Sequence, residues 1–258
     1  MRMHMNKIKR TSILGTPVDC VDMVLALQSI DEYIQEAKQP GTVLAVNPEK
    51  VYALRENQFL KDFFTKATIL IPDGIGIVMA MRLQGHAATR VPGADLMTEI
   101  CALASKHGYR IFIYGAKEEI NRGAVERLNT IYPSLQIVGR ANGYIFEEDM
   151  HKLISQINES KADILFVALG SPRQEEWMYK YLQQLSTVRI CQGVGGTLDT
   201  IVGNVKRAPR FMQRLNLEWF YRLIQQPTRA KRQLKLISFV WEVSSDFIRS
   251  KFGRSRTS

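Results

Sequence analysis

The sequence is poor in several of the features that usually announce a function. Three cysteines, Cys20, Cys101 and Cys191, stand far apart among apolar neighbours in a chain of 258 residues. An odd, scattered set argues against a disulfide framework and a zinc site, and buried free thiols are expected instead. No stretch approaches the roughly 18 to 20 apolar residues of a membrane-spanning helix, and the basic opening MRMHMNKIKR is not followed by an apolar run of signal-peptide length. A cytosolic chain is therefore expected. His4, His86, His107 and His151 share no metal-ligand or triad spacing. Asp-x-Asp, the commonest cue for a divalent metal on a nucleotide diphosphate, occurs nowhere. Internal repeats and low-complexity segments are absent too.

What is present is an ordinary globular composition, 45% hydrophobic, long enough to bury one large α/β core plus an appendage. The charge is unevenly placed. Residues 205–258 hold thirteen Lys/Arg against three Asp/Glu, a net +10 equal to the excess of the whole chain, so residues 1–204 are balanced. The C-terminal part is expected to meet an anionic partner: a phosphorylated ligand, an acidic membrane surface or nucleic acid.

Short β-branched runs alternate with amphipathic helical patterns, the signature of βα units around a mostly parallel sheet. Strands are predicted at Val43–Val46, Thr68–Ile71, Arg110–Gly115, Gln136–Val138, Asp163–Gly170 and Val188–Cys191. Helices are predicted over 49–64, 77–83, 94–107, 118–131 and 151–159, and from a Ser171-Pro172-Arg173-Gln174 capping box through Tyr181. Asn47, Asp73, Ser171 and Gly193 each follow a predicted strand. In a parallel sheet those carboxyl ends lie along one edge, where open α/β sheets bind ligands.

Each of these residues also has a plainer reading. Asp73 and Asn47 fit helix N-caps, worth about 1 kcal/mol each. Gly193-x-Gly195-Gly196 lacks the spacing and the following acid of a dinucleotide fingerprint and fits a tight turn. Lys206, Arg207 and Arg210 fit a solvated face. Further on, Met212, Leu215, Trp219, Phe220, Leu223 and Ile224 recur at helical spacing, with Arg214, Glu218 and Arg222 on another face, until Pro227 interrupts. A second pattern begins near Thr228, where Arg229, Lys231, Arg232 and Lys235 precede Leu236, Ile237, Val240, Trp241 and Phe247. Basic residues beside tryptophan and aliphatics describe a segment drawn to anionic lipid. A helix pair docked on the core with a solvated basic face fits as well.

The blocks AVNPEKV at 45–51, ILIPDGIGIV at 69–78, RVPGADL at 90–96 and FVALGSPRQEEWM at 166–178 occur in order, followed by GVGGTLDTIVGNVKRAP and RLNLEWFYRLIQQPTRAKRQ. Together they resemble the WecG/TagA/CpsF family of bacterial glycosyltransferases, glycosyltransferase family 26, over roughly residues 11 to 240. The resemblance implies a Rossmann-like α/β core, residues 1–204, and a basic, amphipathic, helical membrane-associating appendage, residues 205–258. It implies a peripheral enzyme on the inner face of the cell membrane. Such an enzyme moves a sugar from a UDP-activated donor to a polyprenyl-diphosphate-linked sugar, typically undecaprenyl-diphosphate N-acetylglucosamine, in cell-wall polysaccharide synthesis. In the teichoic-acid branch the donor is UDP-N-acetylmannosamine; in the common-antigen branch it is the uronic acid. Inversion without metal or other cofactor is expected.

By the same resemblance Asp73 matches the catalytic base. Asn47, Arg90 and Gln174 match residues that orient donor sugar and diphosphate, and Gly193, Gly195 and Gly196 would bring backbone N–H groups close to phosphates or uridine. Arg222, Arg229 and Arg232 match appendage arginines that meet diphosphate charge, a task suited to guanidinium geometry. One position departs: Ala45 stands where teichoic-acid members carry threonine, as in the common-antigen branch, which leaves the donor sugar open. No nucleic-acid module is present, so nucleic acid is not an expected partner. A non-catalytic, membrane-attached nucleotide-binding protein would explain the glycine turn and appendage, but not the carboxylate at the sheet edge. An exposed apolar helix face would also permit self-association away from a membrane.

Overall fold

A computed structural model describes residues 8–205, 208–209, 211–212, 220–221 and 230–252; within the last segment the side chains described are those of 236 and 238–249. The described chain opens with a hairpin, β1 (Arg10–Ile13) and β2 (Thr16–Asp19), and helix α1 (Met23–Glu36). Six strands then build the main sheet: β3 (Gly41–Val46), β4 (Ile69–Pro72), β5 (Arg110–Gly115), β6 (Gln136–Ala141), β7 (Ile164–Ala168) and β8 (Ile190–Gly193). Their order is β4-β3-β8-β7-β5-β6, and every pairing is parallel. The expected Rossmann-like α/β class is what the structure shows.

Runs such as GTVLAV and ILFVA are apolar throughout because both sheet faces are covered. Strand alternation still divides them. Leu44, Leu70, Phe112, Tyr114 and Leu165 enter one core, while Val43, Ile69, Ile71, Ile111, Ile113 and Phe166 enter the other. The first core is closed by α2 (Pro48–Glu56), α3 (Gln58–Thr65), α4 (Ile75–Leu83), α7 (Met150–Ser160) and α8 (Arg173–Tyr181). Across the sheet, α1 is joined by α5 (Gly93–His107), α6 (Glu118–Ile131) and α9 (Thr197–Ile201). Cys101 and Cys191 are buried free thiols, and burial pushes the Cys101 thiol up to about 12; Cys20 is only half-buried.

Several local expectations need correction. The single helix expected over 49–64 is two, because Asn57 turns extended (φ −134°, ψ 103°) and its side chain accepts from Leu60 N–H at 3.2 Å. An asparagine bonding its own following backbone competes with helix continuation. The capping box at Ser171 does not form. Helix α8 is entered from Pro172 without a side-chain cap bond, and Ser171 is engaged elsewhere. Strand β6 runs three residues beyond its expected end, to Ala141. The first hairpin had no clear sequence signal. It is fixed by buried Asp19, which accepts from Arg10 Nε at 2.6 Å and from Leu70 N–H of β4 at 2.7 Å.

The second basic pattern becomes α10 (Ala230–Phe252). It lies against the outer side of α2 and α4. Phe239 is 1% exposed, Glu242 accepts from Tyr52 at 2.9 Å and from Arg55 at 2.7 Å, and Gly76 leaves the space that Phe239 needs. A β carbon on Gly76 would come within 3.3 Å of the Phe239 ring. Val240 and Trp241 remain exposed, the latter at 70%. Docking thus uses a residue between the basic stretch and Trp241 that the periodicity did not single out. Phe239→Ala is expected to destabilise the folded chain by about 3 to 5 kcal/mol, seen as a lower urea midpoint. Glu242→Ala, whose partner Arg55 is partly exposed, is expected to cost below about 1 kcal/mol in the same measurement.

Candidate active site

The four strand-end residues meet. Asn47 after β3, Asp73 after β4, Ser171 after β7 and Gly193 ending β8 all line one cleft of about 460 Å³. Gln174, Gly195 and Gly196 line it as well.

Asp73 owes its position to backbone. Its N–H donates to Val46 O at 3.0 Å, tying the end of β4 to the end of β3. The N-cap of α4 is Gly74, with no side-chain cap bond, so the plainer reading of Asp73 as a cap does not hold. Its carboxylate is 27% exposed, and its Oδ2 lies 3.7 Å from where a β carbon on Gly93 would stand, at the first residue of α5. Arg90 braces it from behind. Arg90 Nε donates to the Asp73 carbonyl at 2.6 Å, and the guanidinium reaches Asp73 Oδ1 at 3.5 Å. Arg90 is therefore placed on Asp73, and it is not among the described residues that line the cleft.

Asn47 is a true N-cap: its Oδ1 accepts from Lys50 N–H at 2.9 Å, as the plainer reading had it, while the residue also borders the cleft. Gln174, 7% exposed, clamps the glycine turn, its Oε1 accepting from Gly195 N–H at 3.0 Å. Gly193 is needed for that contact, because a β carbon there would stand 2.6 Å from Gln174 Nε2. The Gly195 N–H expected to approach a phosphate is thus already engaged. Arg222, Arg229 and the side chain of Arg232 lie outside the described residues.

Three charged cleft residues escaped the sequence reading: Lys50, Glu175 and Asp199. Lys50 Nζ donates to Glu175 Oε1 at 2.7 Å and to Ser171 Oγ at 2.5 Å, joining the first turns of α2 and α8 across 125 positions of sequence. The pair is buried, with side chains 9% and 3% exposed. A readable signal existed. A lysine in the first turn of a helix opposes the helix dipole and calls for a nearby anion. Nothing in a single sequence says which anion.

Among the described residues, no three His, Cys, Asp or Glu side chains are grouped to hold a metal ion, and no helix is long and apolar enough to cross a membrane. The glycosyl transferase WecG/TagA/CpsF family matches residues 11–254, taking in nearly all of the chain. The chain belongs to this glycosyltransferase family. It is also 37% identical over 215 residues, 83% of each protein, to a Bacillus subtilis (strain 168) protein named N-acetylglucosaminyldiphosphoundecaprenol N-acetyl-beta-D-mannosaminyltransferase. The family match runs past the last motif block to residue 254, so the whole of α10 lies within the shared region.

Lys50→Met leaves Glu175 buried without its cation and is expected to lower unfolding free energy by about 3 to 5 kcal/mol. The Lys50→Met/Glu175→Met double variant is expected to regain most of that loss. Urea denaturation of the two single variants and the double variant checks both statements.

Proposed function

We propose that this family member is an inverting, metal-independent transferase that moves N-acetylmannosamine from UDP to the N-acetylglucosamine of a polyprenyl-diphosphate lipid, in the assembly of a teichoic-acid linkage unit. The observation that carries this reading is Asp73. It is a partly exposed carboxylate at the rim of the strand-end cleft, relieved of helix capping and braced through its carbonyl by Arg90. The named activity of the Bacillus subtilis relative supports the choice of sugar and acceptor.

In this reading the Asp73 carboxylate accepts the proton of the acceptor hydroxyl while that oxygen forms the new bond to the anomeric carbon. The bond to the β-phosphate oxygen breaks on the opposite face, and UDP leaves with the electron pair. One displacement inverts the anomeric configuration. Asn47, Gln174 and the glycine turn shape the donor pocket, and Arg90 orients the base. Arg222, Arg229 and Arg232 are proposed to meet the charge of the departing diphosphate in place of a metal.

The charges of the cleft favour a neutral hexosamine over a uronate. Asp73 is paired with Arg90, and Glu175 with Lys50, the one lining cation among the described residues, while Asp199 adds a further carboxylate to the lining. A sugar carboxylate would enter a site that offers it repulsion. The basic excess of residues 205–258 and the exposed Trp241 and Val240 of α10 support attachment to the inner face of an anionic membrane, where such an acceptor lies.

UDP release from UDP-N-acetylmannosamine with a short-tailed acceptor tests the proposal. Asp73→Asn is expected to keep its affinity for UDP while turnover falls by about 100- to 10,000-fold, the usual contribution of a general base. Near-normal turnover would reject Asp73 as the base. Faster UDP release with a mannosaminuronate donor would reject the sugar assignment.

A further inference from the structure

Among the described residues, six buried side-chain oxygens have no hydrogen-bond partner, on Ser29, Glu32, Asn121, Glu175, Thr187 and Gln192. Of these residues Glu175 alone lines the cleft. Its residue is 2% exposed. Oε1 is fully used, accepting from Lys50 Nζ at 2.7 Å and from Gln174 Nε2 at 3.3 Å, whereas Oε2 accepts nothing from the described residues. A carboxylate oxygen withdrawn from water without a donor is among the costlier arrangements in a folded protein.

Beside it, Ser171 Oγ already accepts from Lys50 Nζ at 2.5 Å, and the ammonium has no lone pair to receive the serine proton. The Ser171 hydroxyl therefore has its own proton left to give. An acceptor and a donor fixed by one lysine on the wall of the cleft complement a group that both donates and accepts. That group is a hydroxyl.

We infer that Glu175, oriented by Lys50 and paired with Ser171, is a hydroxyl-recognition site for the donor, in which Oε2 accepts a hydrogen bond from a sugar hydroxyl of the UDP-sugar. The inference rests on the UDP-sugar reading above and adds to it a subsite away from Asp73. Asp73 follows β4, whereas Glu175 belongs to the helix after β7 and meets Lys50 in the first turn of the helix after β3. Both residues line the same cleft, so one bound ligand can reach both. The hydroxyl belongs either to the ribose or to the hexose. In both cases the bound ligand supplies the hydrogen bond that Oε2 lacks.

A cycle that pairs protein variants with deoxygenated ligands tests this with the full chain. Calorimetric affinities are measured for UDP, 2′-deoxy-UDP, 3′-deoxy-UDP, UDP-N-acetylmannosamine and its 3-, 4- and 6-deoxy analogues. Each is titrated into the unaltered protein, Glu175→Gln and Ser171→Ala. Should Glu175→Gln fail to fold, Lys50→Met/Glu175→Met removes the acceptor without stranding a charge. Removing the recognised hydroxyl is expected to weaken binding to the unaltered protein about tenfold or more, and to change binding to the Glu175 variant little. Such coupling on a ribose hydroxyl assigns the site to the nucleoside, and coupling on a hexose hydroxyl assigns it to the transferred sugar. A variant that weakens every ligand equally, or none, overturns the inference while leaving the donor reading intact. An unaltered protein that binds neither UDP nor UDP-N-acetylmannosamine overturns both.

Discussion

Because every pairing in the six-stranded sheet is parallel, all six carboxyl ends share one rim, and the residues that follow them are brought together whatever their distance in sequence. Asn47, Asp73, Ser171 and Gly193 span nearly 150 positions, yet they border one cleft. The constraint comes from the helices that cover both faces. Their apolar stripes bury strands on two sides, and the crossover connections they form permit only parallel neighbours.

Within that rim the polar groups support one another before any ligand arrives. Gln174 holds the glycine turn, Arg90 holds the loop of Asp73, and Lys50 bridges Ser171 and Glu175. Such pre-arrangement suits a reaction in which charge develops at fixed points, because little reorganisation is left for the moment of transfer. The buried pair of Lys50 and Glu175 is weak evidence of stabilisation, since desolvation offsets much of the attraction. A more direct consequence is geometric: it locks the starts of α2 and α8 at one distance across the cleft.

The C-terminal helix is tied to the same elements. Phe239 seats against Gly76 in the first turn of α4, and Glu242 bonds Tyr52 and Arg55 of α2. Those two helices begin just after Asp73 and Asn47. Helix α10 is thus packed onto the two helices that start at the rim, and it leaves Trp241 and Val240 exposed.

The βα alternation, the strand-end edge and the candidate Asp73 were all legible in the linear sequence, because each follows from local periodicity or from residue types just beyond a strand. The break at Asn57 was harder to see, since one side-chain bond outweighed a continuous apolar pattern. Only the tertiary structure decided that Arg90 serves Asp73 instead of lining the cleft, that Gln174 occupies the Gly195 N–H, and that Lys50 finds Glu175. The physical reason is the same in each case. A helix or strand declares itself through neighbours a few positions away, whereas the partner of a buried polar group is chosen by whichever donor or acceptor the packed sheet places within about 3 Å of it.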